Sequence, residues 1–467
     1  MELWIAWWQA LSGLREACPR TRSFLWLLTA VAGLCVRADT LGVTSIVRGL
    51  GLVTTSYGHL LAFFHSSAID PDALAHAWSV LVLRLFPDLP RFNGRLLLLA
   101  DGIKVAKAGN KMPAVKKLHQ ESTNNTKPEF IMGHSCQAIS LLAGRGNHLF
   151  AVPLAARIHE GMIFSNRDRR TLYDKLLALL TATGLREPVY LIADAYYCCK
   201  KMGVGLQREG NHLLTRVHKN AVAWTAADVP AVRRRGRPRK YGKKVILRKL
   251  FDDPGKFMQA ASPLYGETDV TIRYRCIDLV WRPLGQVVRF VLADHSRRGR
   301  CILLCTDLSL APLDIIRLYG WRVKIEVAFK AALHVLGGYA YHFWMRAMHP
   351  QKRGVGDCHP HHETSAYRDA IRRKLGAYHR FIQIGCVAQG MLQYLAMRYP
   401  AAVWKHFGSW LRTIRPDVPP SEMVTAQALR NSLPAFLGNG NHGASDFTVF
   451  LQQRIDLERA EGWRLCG

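Results

Sequence analysis

Two short apolar runs, each ending in an aspartate, constrain the fold more than any other feature of the sequence. They are "RLLLLAD" at residues 95 to 101 and "VYLIAD" at residues 189 to 194. Continuous apolar runs of this length are typical of central strands that are buried on both faces of a sheet. Such strands need layers on both sides, so the pattern predicts an α/β (α+β) fold in which helices cover a mixed sheet.

The two aspartates, Asp101 and Asp194, would lie where the buried strands end. In α/β folds, functional sites form at the carboxyl edge of the sheet. An aspartate also commonly opens a turn, and for either residue alone this is the more frequent explanation. A third acid that meets the pair would favour a site.

The segment "LYGWRVKIEVAFKAALHVL", residues 318 to 336, provides such an acid on a predicted helix with two stripes. The apolar stripe consists of Leu318, Trp321, Ile325, Phe329 and Ala332. The polar stripe consists of Tyr319, Arg322, Glu326 and Lys330. The first stripe predicts burial against the core, and the second would place one carboxylate in a row with two cations and a phenol.

Three carboxylates near cationic side chains favour a site for Mg²⁺, which prefers oxygen ligands. Two such ions about 3.5 to 4 Å apart can clamp the attacking and leaving oxygens of a phosphoryl transfer. Arg322 could grip two phosphate oxygens, and Tyr319 and Lys330 could contact the same backbone. The three acids are Asp101, Asp194 and Glu326, and they are the predicted catalytic and metal-binding residues.

The charge of the chain indicates a polyanionic partner. There are 64 Lys and Arg residues against 34 Asp and Glu residues, which gives a formal net charge of +30. The cations cluster most densely in "RRRGRPRKYG", residues 233 to 242. The predicted DNA-binding residues of this loop are Arg233, Arg234, Arg235, Arg237, Arg239 and Lys240. The Arg-Gly-Arg-Pro core resembles an AT-hook that enters a minor groove; the alternative is a solvated loop that touches phosphates without sequence preference.

Five segments are expected from the composition. Residues 1–90 form a helical N-terminal DNA-binding domain, with either a helix-turn-helix or an ordinary helical hairpin at 44 to 64. The sheet-bearing core occupies 95–224 and 301–345 and is interrupted by a β-rich insertion at 225–300 that carries the basic loop. A helical region follows at 346–467.

The apolar run "SFLWLLTAVAGLCV", residues 23 to 36, is too short to cross a bilayer, which takes about 20 residues. We therefore predict a buried helix and no membrane partner, with a secretory signal as the less favoured alternative. The eleven cysteines have irregular spacing, which indicates reduced thiols and a cytoplasmic location.

Three motifs carry a resemblance to a known family. "DG" at 101, "DAYY" at 194 and "YGWRVKIEVAFK" at 319 resemble the DDE transposases of bacterial insertion sequences, particularly the IS4-like group. The resemblance implies an RNase H-like core, and cleavage and joining of double-stranded DNA with two Mg²⁺ ions, for which Mn²⁺ can substitute. It also implies a nucleoid-associated homodimer on paired element ends that acts on target DNA. Asp101, Asp194 and Glu326 match the family's metal-binding triad.

One position departs from the family signature. The signature lysine falls at Leu333, and Lys330, about one turn earlier, could replace it. Two alternatives therefore stay open: a metal-dependent nuclease without joining activity, and a transposase-derived DNA-binding protein without catalysis. Glu160, Asp294 and Asp307 are rival acids, and Asp307 is the strongest because it also follows an apolar run.

Overall fold

The computed structural model describes residues 2–86, 88–120, 128–146, 148–227, 239–264, 266–409, 412–438 and 445–456. The α-helices are α1 (Glu2–Ser12), α2 (Thr21–Val36), α3 (Gly42–Gly49), α4 (Thr55–His65), α5 (Pro71–Leu85), α6 (Leu172–Ala182), α7 (Lys200–Arg208), α8 (Pro312–Trp321), α9 (Val323–Ala331), α10 (Ser365–Arg398), α11 (Pro400–Phe407), α12 (Glu422–Gly438) and α13 (Ser445–Gln452). The strands are β1 (Arg91–Phe92), β2 (Arg95–Ala106), β3 (Lys116–His119), β4 (Phe130–Arg145), β5 (His148–Ile158), β6 (Val189–Ala193), β7 (His212–Arg216), β8 (Val222–Ala226), β9 (Tyr241–Ile246), β10 (Met258–Ala261), β11 (Thr271–Trp281), β12 (Gln286–His295) and β13 (Gly299–Cys305).

The described strands form one mixed sheet, as the sequence predicts. Strand β4 lies between β5 and β2 and pairs antiparallel with both. Strand β6 pairs parallel with β2, and β7 pairs parallel with β6. The five strands therefore run in the order β5, β4, β2, β6, β7, with helices packed on the sheet. This confirms the predicted α/β fold class.

The β-rich segment extends this sheet. Strand β13 pairs antiparallel with β7, and β12, β11, β8 and β9 follow outward in that order. The sequence "HLLTRVHKNAVAW" predicts one strand over residues 212–224, but this prediction is wrong, because a turn at residues 219–220 divides the stretch into β7 and β8. The two strands then pair with different neighbours, β7 with β6 and β8 with β11.

The terminal helices and one face of the sheet share a hydrophobic core. Its central element is α10, which packs against β5 and against α2, α4, α5 and α12. Helix α2 contains the apolar run at 23–36 and is almost wholly buried, as predicted. In the described part of the chain, no helix combines the length and the apolar character needed to span a membrane.

The stretch predicted as a single helix over 318–336 follows a helical path through α8, α9 and a final π-helical turn, Ala332–Leu336. Leu318 and Ile325 are fully buried against Leu97 and Ile192 of the central strands, as the apolar stripe predicts. Because this packing fixes one side of α9 against the sheet, it also fixes the direction of the opposite, polar side.

Candidate active site

The register of β2 and β6 brings Asp101 and Asp194 together. Ala100 and Ala193 are paired across these parallel strands, and each aspartate is the next residue in its chain. Asp194 follows β6 and caps the 3-10 turn Ala195–Tyr197, as expected of a strand end. The expectation that the first strand also ends at its aspartate was wrong, because Asp101 lies inside β2, which continues to Ala106 along β4. Two acids from distant parts of the sequence thereby lie side by side where β6 ends.

Arg322 links the third acid to the first. Its Nη1 donates a 2.8 Å hydrogen bond to Asp101 Oδ2, and its Nη2 donates a 2.6 Å hydrogen bond to Glu326 Oε1. The guanidinium also lies over the ring of Tyr319, with Cζ 5.9 Å from the ring centroid. Three of the four polar-stripe residues therefore face this edge of the sheet.

The electrostatics of Asp101 indicate how crowded the acids are. The pKa of its carboxyl is raised to about 6, mainly by burial; Arg322 and the Gly102 amide act to lower it, and the charges of Asp194 and Glu326 act to raise it. The pKa of the Tyr319 phenol is also raised, mainly by burial, and the Asp194 charge contributes. The charges of Asp194 and Glu326 thus both act on the Asp101 carboxyl.

Asp194 is anchored by its backbone and its side chain. Its Oδ1 accepts a 3.1 Å hydrogen bond from the Tyr196 amide, and its carbonyl accepts a 2.6 Å hydrogen bond from Thr215 Oγ1 on β7. Next to it, Tyr197 accepts a 2.9 Å hydrogen bond from Gln137 Nε2, and Gln137 lies opposite Gly102 in the register of β4 with β2. Sequence reasoning missed Gln137, because only the strand pairing brings it beside the site.

The residue types fit a magnesium site, since carboxylate oxygens are the ligands this ion prefers. In the structure, however, Arg322 forms ion pairs with two of the three carboxylates, those of Asp101 and Glu326. Across the described ranges, no three His, Cys, Asp or Glu side chains, as they stand, form a group that could hold a metal ion. Asp101, Asp194 and Glu326 would be the residues to hold one.

The other predicted contacts are less closely tied to the acids. Lys330 is exposed one turn after Glu326, whereas Leu333 is half-buried and packs against the core from the π-helical turn. Of the basic loop, Arg239 and Lys240 are exposed just before β9. The remaining loop cations lie outside the described residues, and they are Arg233, Arg234, Arg235 and Arg237.

The rival acids have structural partners. Asp307 accepts hydrogen bonds from the Tyr190 hydroxyl and from the Ser309 amide and hydroxyl. Asp294 pairs with Arg273 at 2.6 Å on neighbouring strands, and Glu160 pairs with Lys116 at 3.2 Å. These contacts explain each acid without a catalytic role.

One of the comparisons with known proteins identifies a family. Residues 13–276 match a family model described as DDE superfamily endonuclease, a range that contains Asp101 and Asp194 and ends before Glu326. No curated protein sequence matches the chain. Among solved structures, the chain is similar to the piggyBac transposase in a synaptic complex with hairpin DNA, with 11% identity, a TM-score of 0.36, and coverage of 96% of this chain and 80% of that one.

Proposed function

The chain belongs to the DDE superfamily of endonucleases, and on that premise we propose that it is an insertion-sequence transposase. In this proposal it cuts DNA at the ends of its element and joins the freed 3′-hydroxyl to target DNA. The observation that carries the proposal is that Arg322 binds both Asp101 and Glu326, while Asp194 lies beside Asp101 on the neighbouring strand.

The proposed chemistry is phosphoryl transfer at these three carboxylates. Two Mg²⁺ ions, or Mn²⁺ in their place, would supply activation of the attacking oxygen and stabilisation of the leaving oxygen when bound. Asp101, Asp194 and Glu326 would hold them, since their side chains supply carboxylate oxygens and the charges of the other two acids act on Asp101. Burial is the largest cause that raises the pKa of the Asp101 carboxyl, so its ionised form depends on a neighbouring cation.

Arg322 has a second possible partner in the substrate. A guanidinium presents two parallel N–H donors that fit a carboxylate and a phosphate equally well. In the structure both donors are used by Asp101 and Glu326. We propose that Arg322 transfers them to a DNA phosphate beside the scissile bond, with Tyr319 and Lys330 contacting the flanking backbone.

The finer assignments belong to the same proposal. The spacing of Tyr319, Arg322 and Glu326 supports the IS4-like group, and the half-buried Leu333 leaves the fourth signature position to Lys330. We further propose a homodimer on paired ends in the bacterial nucleoid, with DNA contacts from the N-terminal helices of 1–90 and the basic loop of the 225–300 insertion. The core segments 95–224 and 301–345 would carry the chemistry, with 346–467 supporting them.

The test is Mg²⁺- or Mn²⁺-dependent cleavage and joining on DNA that carries the gene's own flanking ends. Wild type is compared with Asp101→Asn, Asp194→Asn and Glu326→Gln, and Asp307→Asn serves as the matched control acid. We expect the three site variants to bind these ends and lose cleavage by at least about a hundredfold, as removal of a preorganised electrostatic group does. The control should still cut.

The outcomes separate the rival functions. Cleavage without joining by wild type would support a nuclease that lacks strand transfer. Binding without cleavage by wild type, under both metals, would support a DNA-binding protein derived from a transposase. Cleavage that survives in Glu326→Gln would overturn the assignment of the third acid.

A further inference from the structure

The two chain segments that leave the candidate site join to form a second surface. One segment follows β2, which carries Asp101, and the other follows the π-helical turn after Glu326. The Met345 amide donates a 2.9 Å hydrogen bond to the Lys111 carbonyl, and Lys111 Nζ donates a 3.1 Å hydrogen bond to the Arg346 carbonyl. We call the solvent-facing part of this junction the Trp344 surface, and it consists of the exposed residues His342, Trp344, Arg346, Lys352 and Arg353 together with half-buried Lys111.

Buried and exposed side chains alternate along residues 341–345, and this alternation turns Trp344 towards solvent. Tyr341, Phe343 and Met345 are buried in the core, and the residues between them are exposed. Trp344 keeps 62% of its surface accessible, which is unusual for a side chain of this size. Its indole edge lies against Gly109, where an added Cβ would come within 2.8 Å of Nε1. The ring is therefore held in position while most of it faces solvent.

The two chain segments that form the Trp344 surface are positively charged. The sequence contains no Asp or Glu from residue 327 to residue 356, or from residue 102 to residue 120. The exposed cations of the surface are Arg346, Lys352 and Arg353, with Lys111 half-buried beside them. Buried Lys107 holds the two segments together by donating hydrogen bonds to the carbonyls of Tyr339 and Tyr341.

We propose that the Trp344 surface binds a DNA strand with an unpaired base stacked on the indole and its phosphates on the surrounding cations. The inference deepens the proposed function and rests on it. Aromatic side chains stack on any base through its π-face, and a basic groove follows the backbone. A base inside a duplex has both faces covered by its neighbours, so the exposed ring fits an unpaired base at a strand end.

The experiment uses the full-length protein and two labelled duplexes of the same sequence, one blunt and one with a single-stranded 3′ overhang, measured by fluorescence anisotropy. Trp344→Leu keeps an apolar side chain and removes the ring, whereas Trp344→Phe keeps a ring. Ile414→Ala, at another exposed apolar position, is the control. Thermal unfolding of each variant shows that it is folded.

We expect Trp344→Leu to weaken overhang binding by about five-fold or more, to the affinity of the blunt duplex, while Trp344→Phe retains most of the preference. Arg346→Gln should lower the salt dependence of binding by about one phosphate contact. Equal affinity of wild type and Trp344→Leu for the overhang, or equal loss on both duplexes, would overturn the inference. If wild type cuts the ends of its element while Trp344→Leu binds the overhang duplex as tightly as wild type, only the inference about the Trp344 surface is wrong. If wild type neither binds nor cuts DNA, the proposed function fails as well.

Discussion

Arg322 and Asp101 form a 2.8 Å ion pair between the helix α9 boundary and strand β2, and both side chains are about four-fifths buried. The second Nη of the same guanidinium holds Glu326. One guanidinium thus binds acids from two elements of the fold, β2 and α9. Any other cation that binds these carboxylates, a metal ion included, competes with Arg322.

This competition predicts the effect of Arg322→Gln on metal binding. Without the guanidinium, the carboxylates repel one another with no cation from the protein between them. Mg²⁺ should therefore bind the DNA-free protein roughly tenfold more tightly. This factor corresponds to about 1.5 kcal/mol, the energy of one charge-assisted hydrogen bond that the ion no longer has to displace. DNA cleavage should nevertheless fall, because the phosphate loses its bidentate partner. Calorimetric titration with Mg²⁺ measures the first effect.

Arg289→Gln is the matched control, because Arg289 also grips a carboxylate with two donors, that of Asp278, in an ion pair between β11 and β12. Its removal should leave Mg²⁺ binding unchanged. Unchanged or weaker Mg²⁺ binding by Arg322→Gln would contradict the competition.

A second prediction concerns Lys330. If it replaces the signature lysine, Lys330→Ala should reduce the salt dependence of DNA binding by about one counterion and lower cleavage, since one phosphate contact is lost. Lys405→Ala, an exposed lysine on α11, should change neither quantity. Affinity measurements from low to high salt separate the two, and identical slopes for Lys330→Ala and wild type would remove Lys330 from the interface.

The local parts of this site were predictable and the long-range contacts were not. Strands β2 and β6 and the buried stripe of α8 and α9 follow from apolar patterns within a few residues. The pairing of Arg322 with Asp101 joins positions 221 residues apart, and no periodicity encodes it. The turn between β7 and β8 was missed because residues 212–224 are apolar on both sides of it.

Asp307 should behave as a structural acid. Burial acts to raise the pKa of its carboxyl, but hydrogen bonds from Ser309 and Tyr190 outweigh this and lower it to about 2. A folded-state pKa below the unfolded value means that the stabilisation is complete above about pH 4 and is lost as the pH falls towards 2. Asp307→Asn should therefore cost about 1 to 3 kcal/mol of unfolding free energy at neutral pH, with cleavage retained.

Denaturant unfolding of wild type and Asp307→Asn at several pH values tests this assignment. The difference in unfolding free energy should shrink below pH 4. A difference that stays constant down to pH 2 would show that the carboxylate charge does not provide the stabilisation. Loss of cleavage in a folded Asp307→Asn protein would return Asp307 to the list of catalytic acids.

Buried His134, on strand β4, provides a second test of how stability depends on pH. Its Nε2 lies 2.8 Å from the Pro113 carbonyl, which can only accept, so Nε2 carries the proton and Nδ1 accepts from the Tyr341 hydroxyl at 2.6 Å. Burial, reinforced by the Lys107 charge, lowers the pKa of the imidazole to about 3. The folded protein therefore keeps His134 neutral at pH values where the unfolded chain binds a proton.

The folded pKa lies below the unfolded value of about 6.5, so the contribution of His134 to the free energy of unfolding is complete above that pH. As the pH falls towards 3, this contribution declines by up to about 1.4 kcal/mol per pH unit. His134→Gln should be less stable at pH 7, and its unfolding free energy should fall less steeply between pH 6 and pH 4.5 by up to one proton. Urea unfolding across this range gives both slopes. Equal slopes for the two proteins would mean that His134 gains its proton without unfolding. The pKa of the imidazole in the folded protein would then not be lowered by its burial.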